Sequence, residues 1–287
     1  MNHFGGNWTA IKIEILVEYA QAYLRIMNVH ASRYNWRLLY FDGFAGSGEI
    51  IKVIDDKESG IYDVNITIGA AKRIIQIDSP RSFDEYYFVE KNPNNFTLLE
   101  KHTKIAFPTK KIFSVLDDCN KKMLDLSNFL RNPRNKNYRT LAYIDPCGMQ
   151  VEWRSIECLK GLNLDMWILV PTGLGVNRLL KKDGKISDAW LDKLENFLGM
   201  ERDKIESFFY KKSNTLFPEI EIVKKELDAI QKSAKLYRTR LKEVFEFVSN
   251  PYELKNSANS VMYHLFLTSN KEAGIKIAND IVKKYNK

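Results

Sequence analysis

The feature that most constrains this chain is an apolar, aromatic run cut short by glycines: Leu38-Leu39-Tyr40-Phe41-Asp42-Gly43-Phe44-Ala45-Gly46-Ser47-Gly48. The first part suits a strand buried on both faces, and the glycines after it force the backbone to turn. Glycine reaches positive φ without strain and lets backbone N–H groups approach a ligand closely, so a strand ending this way can cradle a nucleotide. Asp42 stands just inside the glycines, where its carboxylate can accept bonds from the loop or from a ligand amine. A bare turn would use the same glycines. The order of the remaining segments raises the loop above that reading.

That order alternates strand and helix. A helix with Ile11, Ile15, Tyr19, Tyr23 and Met27 on one face leads into the glycine-bearing strand, with Lys12 and Tyr19 as candidate ligand contacts. Glu49 to Asn65 reads as a long polar loop, of the kind that serves as a lid, before a helix from about Thr67. Tyr86-Tyr87-Phe88-Val89 is a second strand ending in Glu90, either a grip on vicinal ribose hydroxyls or a solvated strand-end acid. Lys111 to Leu116 is a third, followed by Asp117-Asp118, which either accept from an adenine amine or cap the next helix. Thr140 to Ile144 is a fourth, ending in Asp145-Pro146-Cys147-Gly148, and Asp165 to Pro171 a fifth. Three helical segments then interrupt the alternation, the last from about Pro218 to Leu241. Lys242 to Val248 and Val261 to Thr268 close the chain as an antiparallel hairpin, backed by a helix from Lys271 to Lys284. His264 reads as a core residue of that last strand.

In this order the chain resembles a class I S-adenosylmethionine-dependent methyltransferase. More narrowly, Asp42 to Gly48, Phe88-Val89-Glu90-Lys91, Ile144 to Gly148 and Tyr263-His264-Leu265 look like the three-Cys-motif partner protein family. The resemblance implies an α/β, Rossmann-like class I methyltransferase fold. Its sheet would be seven-stranded and mostly parallel, with a C-terminal antiparallel hairpin and a helical insertion. The expected division is a core with its N-terminal helix over 1–180, a helical insertion over 181–241 for substrate recognition, and a hairpin and helix over 242–287 completing the core. The implied cofactor is S-adenosyl-L-methionine, on Asp42, Gly43, Phe44, Ala45, Gly46 and Gly48, with its ribose on Glu90 and its adenine near Asp117 or Asp118.

In the methyltransferases that modify adenine and cytosine amino groups, an acid or amide is followed by two prolines and an aromatic ring. The acid and a carbonyl accept from the target amine, and the ring stacks on the flipped base. Asp145 and Pro146 match that pattern, whereas Cys147 and Gly148 depart from it. The expected activity is therefore methyl transfer to a nucleobase amino group through Asp145 and Pro146. Trp153 is a substitute ring and Arg178 a substrate or phosphate contact. The departure also allows a second reading, a silent cofactor-binding subunit of another enzyme.

The bulk properties fit. A net charge of +8 suits anionic partners, and between Arg178 and Lys242 sixteen Lys and Arg stand against eleven Asp and Glu. Lys211, Lys212, Lys224, Lys225, Lys232, Lys235, Arg238 and Arg240 make a candidate phosphate footprint, or a solvated helix face. Cys119, Cys147 and Cys158 have neither zinc nor disulfide spacing, so no metal is expected. No apolar run reaches the roughly 18 residues of a membrane span, and the N-terminus lacks a secretory pattern, so the expectation is a cytoplasmic protein.

Overall fold

The continuous apolar runs before Asp42, Asp145 and Pro171 are strands buried on both faces, as the centre of a parallel sheet with helices on each side requires. A computed structural model of the chain describes residues 7–56, 61–180, 186–214, 221–225 and 228–286. In chain order its elements begin with α1 (Asn7–Tyr34), β1 (Arg37–Asp42), β2 (Glu49–Asp56), β3 (Ile61–Ile68), α2 (Ala70–Ile75), β4 (Glu85–Glu90) and α3 (Pro93–Glu100). There follow β5 (Ile112–Leu116), α4 (Cys119–Arg131), β6 (Tyr138–Ile144), α5 (Trp153–Glu157), β7 (Leu164–Val170) and the single turn α6 (Asn177–Leu179). The chain continues with α7 (Asp188–Leu198), α8 (Arg202–Phe209), β8 (Tyr210–Asn214), β9 (Glu221–Lys225) and α9 (Ala229–Val244). It ends with β10 (Phe247–Val248), β11 (Tyr252–Lys255), β12 (Val261–Ser269) and α10 (Glu272–Lys283).

The main sheet runs β5-β4-β1-β6-β7-β12-β10, with β11 also paired to β12. The pairings among β5, β4, β1, β6 and β7 are parallel, and β12 is antiparallel to β7, β10 and β11. Five parallel strands spread outward from β1, and an antiparallel strand is inserted beside β7. This is the Rossmann-like class I methyltransferase fold. Alternate side chains go to opposite faces. Leu39 and Phe41 join a core with α4, α5, α7, α8 and α9, while Leu38 and Tyr40 join one with α1, α2, α3 and α10. Helices α7 to α9 are part of that first core through Leu194, Phe197, Ile205, Phe209, Tyr237 and Leu241.

The structure corrects three sequence readings. The stretch expected to be a loop between Glu49 and Asn65 is a hairpin of β2 and β3, in register from Glu49↔Ile68 to Asp56↔Ile61, and α2 accordingly starts at Ala70. The helix expected from Pro218 falls partly outside the described residues. Within them, Glu221–Lys225 is a strand paired with β8, and the helix starts only at Ala229. Of the strand expected over Lys242–Val248, residues up to Val244 are the end of that helix and only Phe247–Val248 is strand. Buried Ala234, Tyr237, Leu241 and Val244 recur at helical spacing, and the sheet position is filled instead by β10 and β11.

No described helix is long and apolar enough to cross a membrane, and no cluster of potential metal ligands occurs among the described residues.

Candidate functional site

A parallel sheet gathers its strand ends at one edge, and ligands of such folds bind beyond the carboxyl ends, where the strand order reverses. Here that place is the end of β1, flanked by β4 and β6. A cavity of about 220 Å³ opens there. Its floor is Asp42 and the loop Phe44 to Gly48, one wall is Asp145, Pro146 and Cys147, and Trp8, Lys12 and Ile13 of α1 stand opposite. Tyr143, Leu169 and Tyr263 fill the back.

The loop is held by backbone bonds at both flanks. Gly43 N donates to Tyr143 O at 3.0 Å, and Ala45 N to Val89 O at 3.0 Å. Two of its glycines answer different demands. A Cβ on Gly43 would lie 2.4 Å from Cys119 Sγ, so close packing excludes any side chain. Gly46 has φ of +61° and no atom within 4 Å of a Cβ position, so conformation alone selects glycine, and the space beside it is open.

Asp42 is buried and accepts from Phe44 N at 3.1 Å and, more weakly, from Tyr40 OH at 3.4 Å. Burial pushes its carboxyl up to about 7, and the Asp145 charge adds to this against the pull of Lys12. Asp145 is differently served. Lys12 Nζ donates to its Oδ2 at 2.5 Å and Tyr143 OH to the same oxygen at 3.0 Å. Oδ1 has no donor among the described residues. Lys12 is itself mostly buried, with its ammonium 5.1 Å from the Trp8 ring centre. Trp8 in turn lies 5.1 Å from the Tyr263 ring. The turn after Asp145 is fixed by Cys147 N donating to Gln150 Oε1 and by Tyr263 OH donating to Cys147 O.

The sequence-predicted residues therefore separate into two groups. Asp42, Phe44, Ala45, Gly46, Gly48, Asp145 and Pro146 line one cavity, with Gly43 directly behind it, and Lys12 joins them from α1. Glu90, at the end of β4, does not line it; the Cys147 thiol is raised by burial first and then by the charge of Asp145, to which Glu90 adds a smaller share. Glu90 Oε1 accepts from Asn92 N at 2.7 Å. Asp118 caps α4 by accepting from Asn120 N and pairs with Lys91, the capping alternative anticipated from sequence. Asp117 accepts from the Asp118 N–H and pairs with Lys121 and Lys122, which together hold its carboxyl down at about 2, and it does not line the cavity. Trp153 is only 4% exposed, between Tyr237 and the Arg240 guanidinium, and cannot present a face to a substrate. Arg178 is exposed on α6 and does not line the cavity. Tyr19 bonds Asp165 away from this site, and His264 is buried against Thr172, as a core residue should be. Arg238 donates to Val248 O and Ser249 O, and Arg240 to Leu198 O and Gly199 O, so both are withdrawn from the supposed phosphate footprint. Trp8, Tyr143 and Tyr263 line the cavity without having been singled out from sequence as contacts. Tyr263 stood within the Tyr263-His264-Leu265 segment of the family resemblance, and Tyr143 lies two residues before Asp145 on the same strand face; Trp8 carried no signal.

No family model and no curated protein matches the chain. Among solved structures, a Legionella pneumophila protein of family-model DUF519 is similar over 94% of this chain and 99% of its own, at 16% identity and TM-score 0.43. Trm1 from Pyrococcus horikoshii, solved with S-adenosyl-L-methionine, is similar at 10% identity and TM-score 0.48 over 97% of this chain, which spans 58% of Trm1. A conserved hypothetical protein of Streptococcus pyogenes is similar at 16% identity and TM-score 0.31, over 55% of this chain and 82% of its own. Likeness this loose says nothing of substrate or activity.

Proposed function

We propose that the chain transfers a methyl group from S-adenosyl-L-methionine to an amino group of a nucleobase in DNA or RNA. One observation carries this reading. Asp145 stands at the rim of the glycine-loop cavity with one oxygen fixed by Lys12 and Tyr143 and the other without a donor among the described residues.

The residues fit the cofactor. Asp42 is a buried carboxyl whose described partners are a neutral hydroxyl and an amide, and an ammonium group beside it would offset its desolvation. The open space over Gly46 leaves its backbone approachable, and Glu90 is near enough to act electrostatically on the same rim. When bound, the cofactor supplies an electrophilic methyl on a sulfonium.

What the chain contributes is alignment. Oδ1 of Asp145 and the carbonyl of Pro146 accept the N–H groups of the acceptor amine and aim its lone pair. Lys12 and Tyr143 keep the carboxylate from swinging away, and Asp145 is within reach of the proton the amine sheds. Trp8, which lines the cavity and is only partly buried, takes the stacking role that Cys147 and Gly148 cannot. In the 181–241 segment, Lys235 and the β8–β9 strand pair remain for phosphate contact.

A second reading keeps the cofactor and drops the turnover. The turn after Asp145 bears no ring, and Gly148 has no atom within 4 Å of a Cβ position. In that case the chain is the cofactor-binding subunit of a partner enzyme, in keeping with its resemblance to three-Cys-motif partner proteins.

Calorimetry with S-adenosyl-L-methionine against NAD tests the cofactor. Tritiated methyl transfer to DNA, RNA and protein pools tests turnover. The expected result is binding of the first ligand alone, and transfer to a nucleic-acid pool that Asp145→Ala abolishes. Transfer by Asp145→Ala at the parent rate overturns the acceptor assignment.

A further inference from the structure

Two stretches of this chain contain no acidic residue: Tyr19 to Phe41 and Leu126 to Ile144. The first carries Arg25, Arg33 and Arg37, the second Arg131, Arg134, Lys136 and Arg139, in a protein whose net charge is +8. The fold joins them at the amino ends of the parallel strands. Arg37 and Tyr138 open the β1–β6 pairing, Arg37 N donates to Asn137 O at 3.1 Å, and Asn137 Nδ2 to Asn35 O at 3.0 Å. Glu85 pairs with Arg37, and Arg131 is turned to the carbonyls of Cys158 and Lys160. Arg33, Arg134 and Lys136 are exposed and pair with no carboxylate among the described residues.

Aromatic planes stand among these cations. Trp36 stacks on Tyr34 at 5.1 Å and 24°, the Arg139 guanidinium lies 4.3 Å from the Trp36 ring centre, and that of Arg33 lies 5.5 Å from Tyr34. Tyr34 is 50% exposed. Beside the stack a cleft of about 290 Å³ opens between α1 and α10, lined by Trp36, His30 and Arg139 and by the amides of Asn163 and Asn270. The buried Asp165 at its base has its oxygens engaged by Tyr19 and Ser269.

Unpaired cations flanking an exposed stack of rings are the two parts of a single-strand binding surface: charge tracks the phosphates, and rings take the unstacked bases. A duplex offers no free base face to such a stack. We propose that this pole binds a single-stranded segment of nucleic acid. Its bases lie on Tyr34 and in the cleft beside Trp36, and its phosphates on Arg33, Arg134 and Lys136. The cavity at the opposite strand ends is about 20 Å away, the length of a six-residue strand. This surface is therefore a separate anchor, and it does not rest on the methyl-transfer reading.

The test uses the full chain and fluorescein-labelled poly(U) and poly(dT) of about 12 nucleotides, followed by anisotropy from about 50 to 200 mM salt. The parent is expected to bind one or both, more weakly as salt rises. Arg134→Glu with Lys136→Glu should weaken binding about tenfold or more and flatten the salt dependence by one to two phosphate contacts. Tyr34→Ala should weaken it about tenfold and leave the salt slope unchanged. Because all three positions are exposed, thermal midpoints and cofactor calorimetry should match the parent. The proposal is overturned if the parent ignores both oligonucleotides, if the variants bind as the parent does, or if the charge reversal instead abolishes binding to phosphatidylserine vesicles. Oligonucleotide binding without any cofactor binding would uphold it while the methyl-transfer reading fell.

Discussion

The two ends of the neighbouring central strands β1 and β6 are chemical opposites. Strand β1 starts at Arg37 and finishes at Asp42, and β6 has Arg139 near its start and Asp145 just beyond its end. At the carboxyl end Asp42 and Asp145 are buried or partly buried, tied to neighbours, and set around a cavity. At the amino end the cations are largely exposed and lie beside stacked rings. Parallel strands produce this separation because every strand points the same way, so a residue type favoured at strand ends accumulates on one side. The lesson is a division of labour: a sheltered end in which a few charges can align reactants, and a wet end suited to salt-sensitive anchoring.

The largest effect that would sharpen this contrast is expected from Asp145→Ala. Methyl transfer should fall by about 10²-fold or more, with S-adenosyl-L-methionine binding little changed. Oligonucleotide binding at the far pole should stay within about twofold of the parent. A matching loss of oligonucleotide affinity would erase the distinction between the two ends.

Asp42→Asn separates stability from binding. The folded protein holds the Asp42 proton up to about pH 7, whereas the unfolded chain releases it near 3.8. The neutral carboxyl's contribution is thus complete below about pH 4 and is lost as the pH rises through 7, amounting to ~4 kcal/mol at most. Since Asn does not ionise, the variant should melt above the parent near pH 8 and level with it only below about pH 4, as differential scanning calorimetry would register. Its cofactor affinity should drop at every pH. The parent's affinity should weaken about tenfold per pH unit below 7, because an ammonium ligand requires the carboxylate.

Smaller effects come from the loop. Gly43→Ala forces a methyl onto Cys119 and should lower stability by about 2 kcal/mol, read from urea unfolding. Gly46→Ala meets no neighbour and should cost only about 1 kcal/mol, the penalty of positive φ. Equal costs would mean that the two glycines serve one purpose.

The sheet was legible because its parallel strands are apolar runs of the right length, each stopped by an acid or a proline. Asp42, Glu90, Asp118 and Asp145 were found by that punctuation alone. What it could not tell was which acids share a cavity. Asp118 sits at a helix cap and Asp117 between two lysines, both satisfied locally, whereas Asp145 is met by Lys12 from 133 positions away. Contact at that separation depends on how α1 lies across the sheet, and no local pattern records it. The missed β2–β3 hairpin had a local signal in Ile66-Thr67-Ile68, which was obscured by the run of charges before it. The sixth strand was misplaced because the apolar face of α9 extends to Val244 and imitates the start of an alternating run.

The β2–β3 hairpin leaves the glycine loop at Gly48 and returns at Gly69, and those two residues are joined directly, Gly69 N to Gly48 O at 3.1 Å. An excursion whose feet touch transmits nothing of its own length to the ground it rises from. Lengthening it, trimming it or exchanging its tip would leave Asp42 and Asp145 where they are, so the arm can vary while the cavity below it keeps its form.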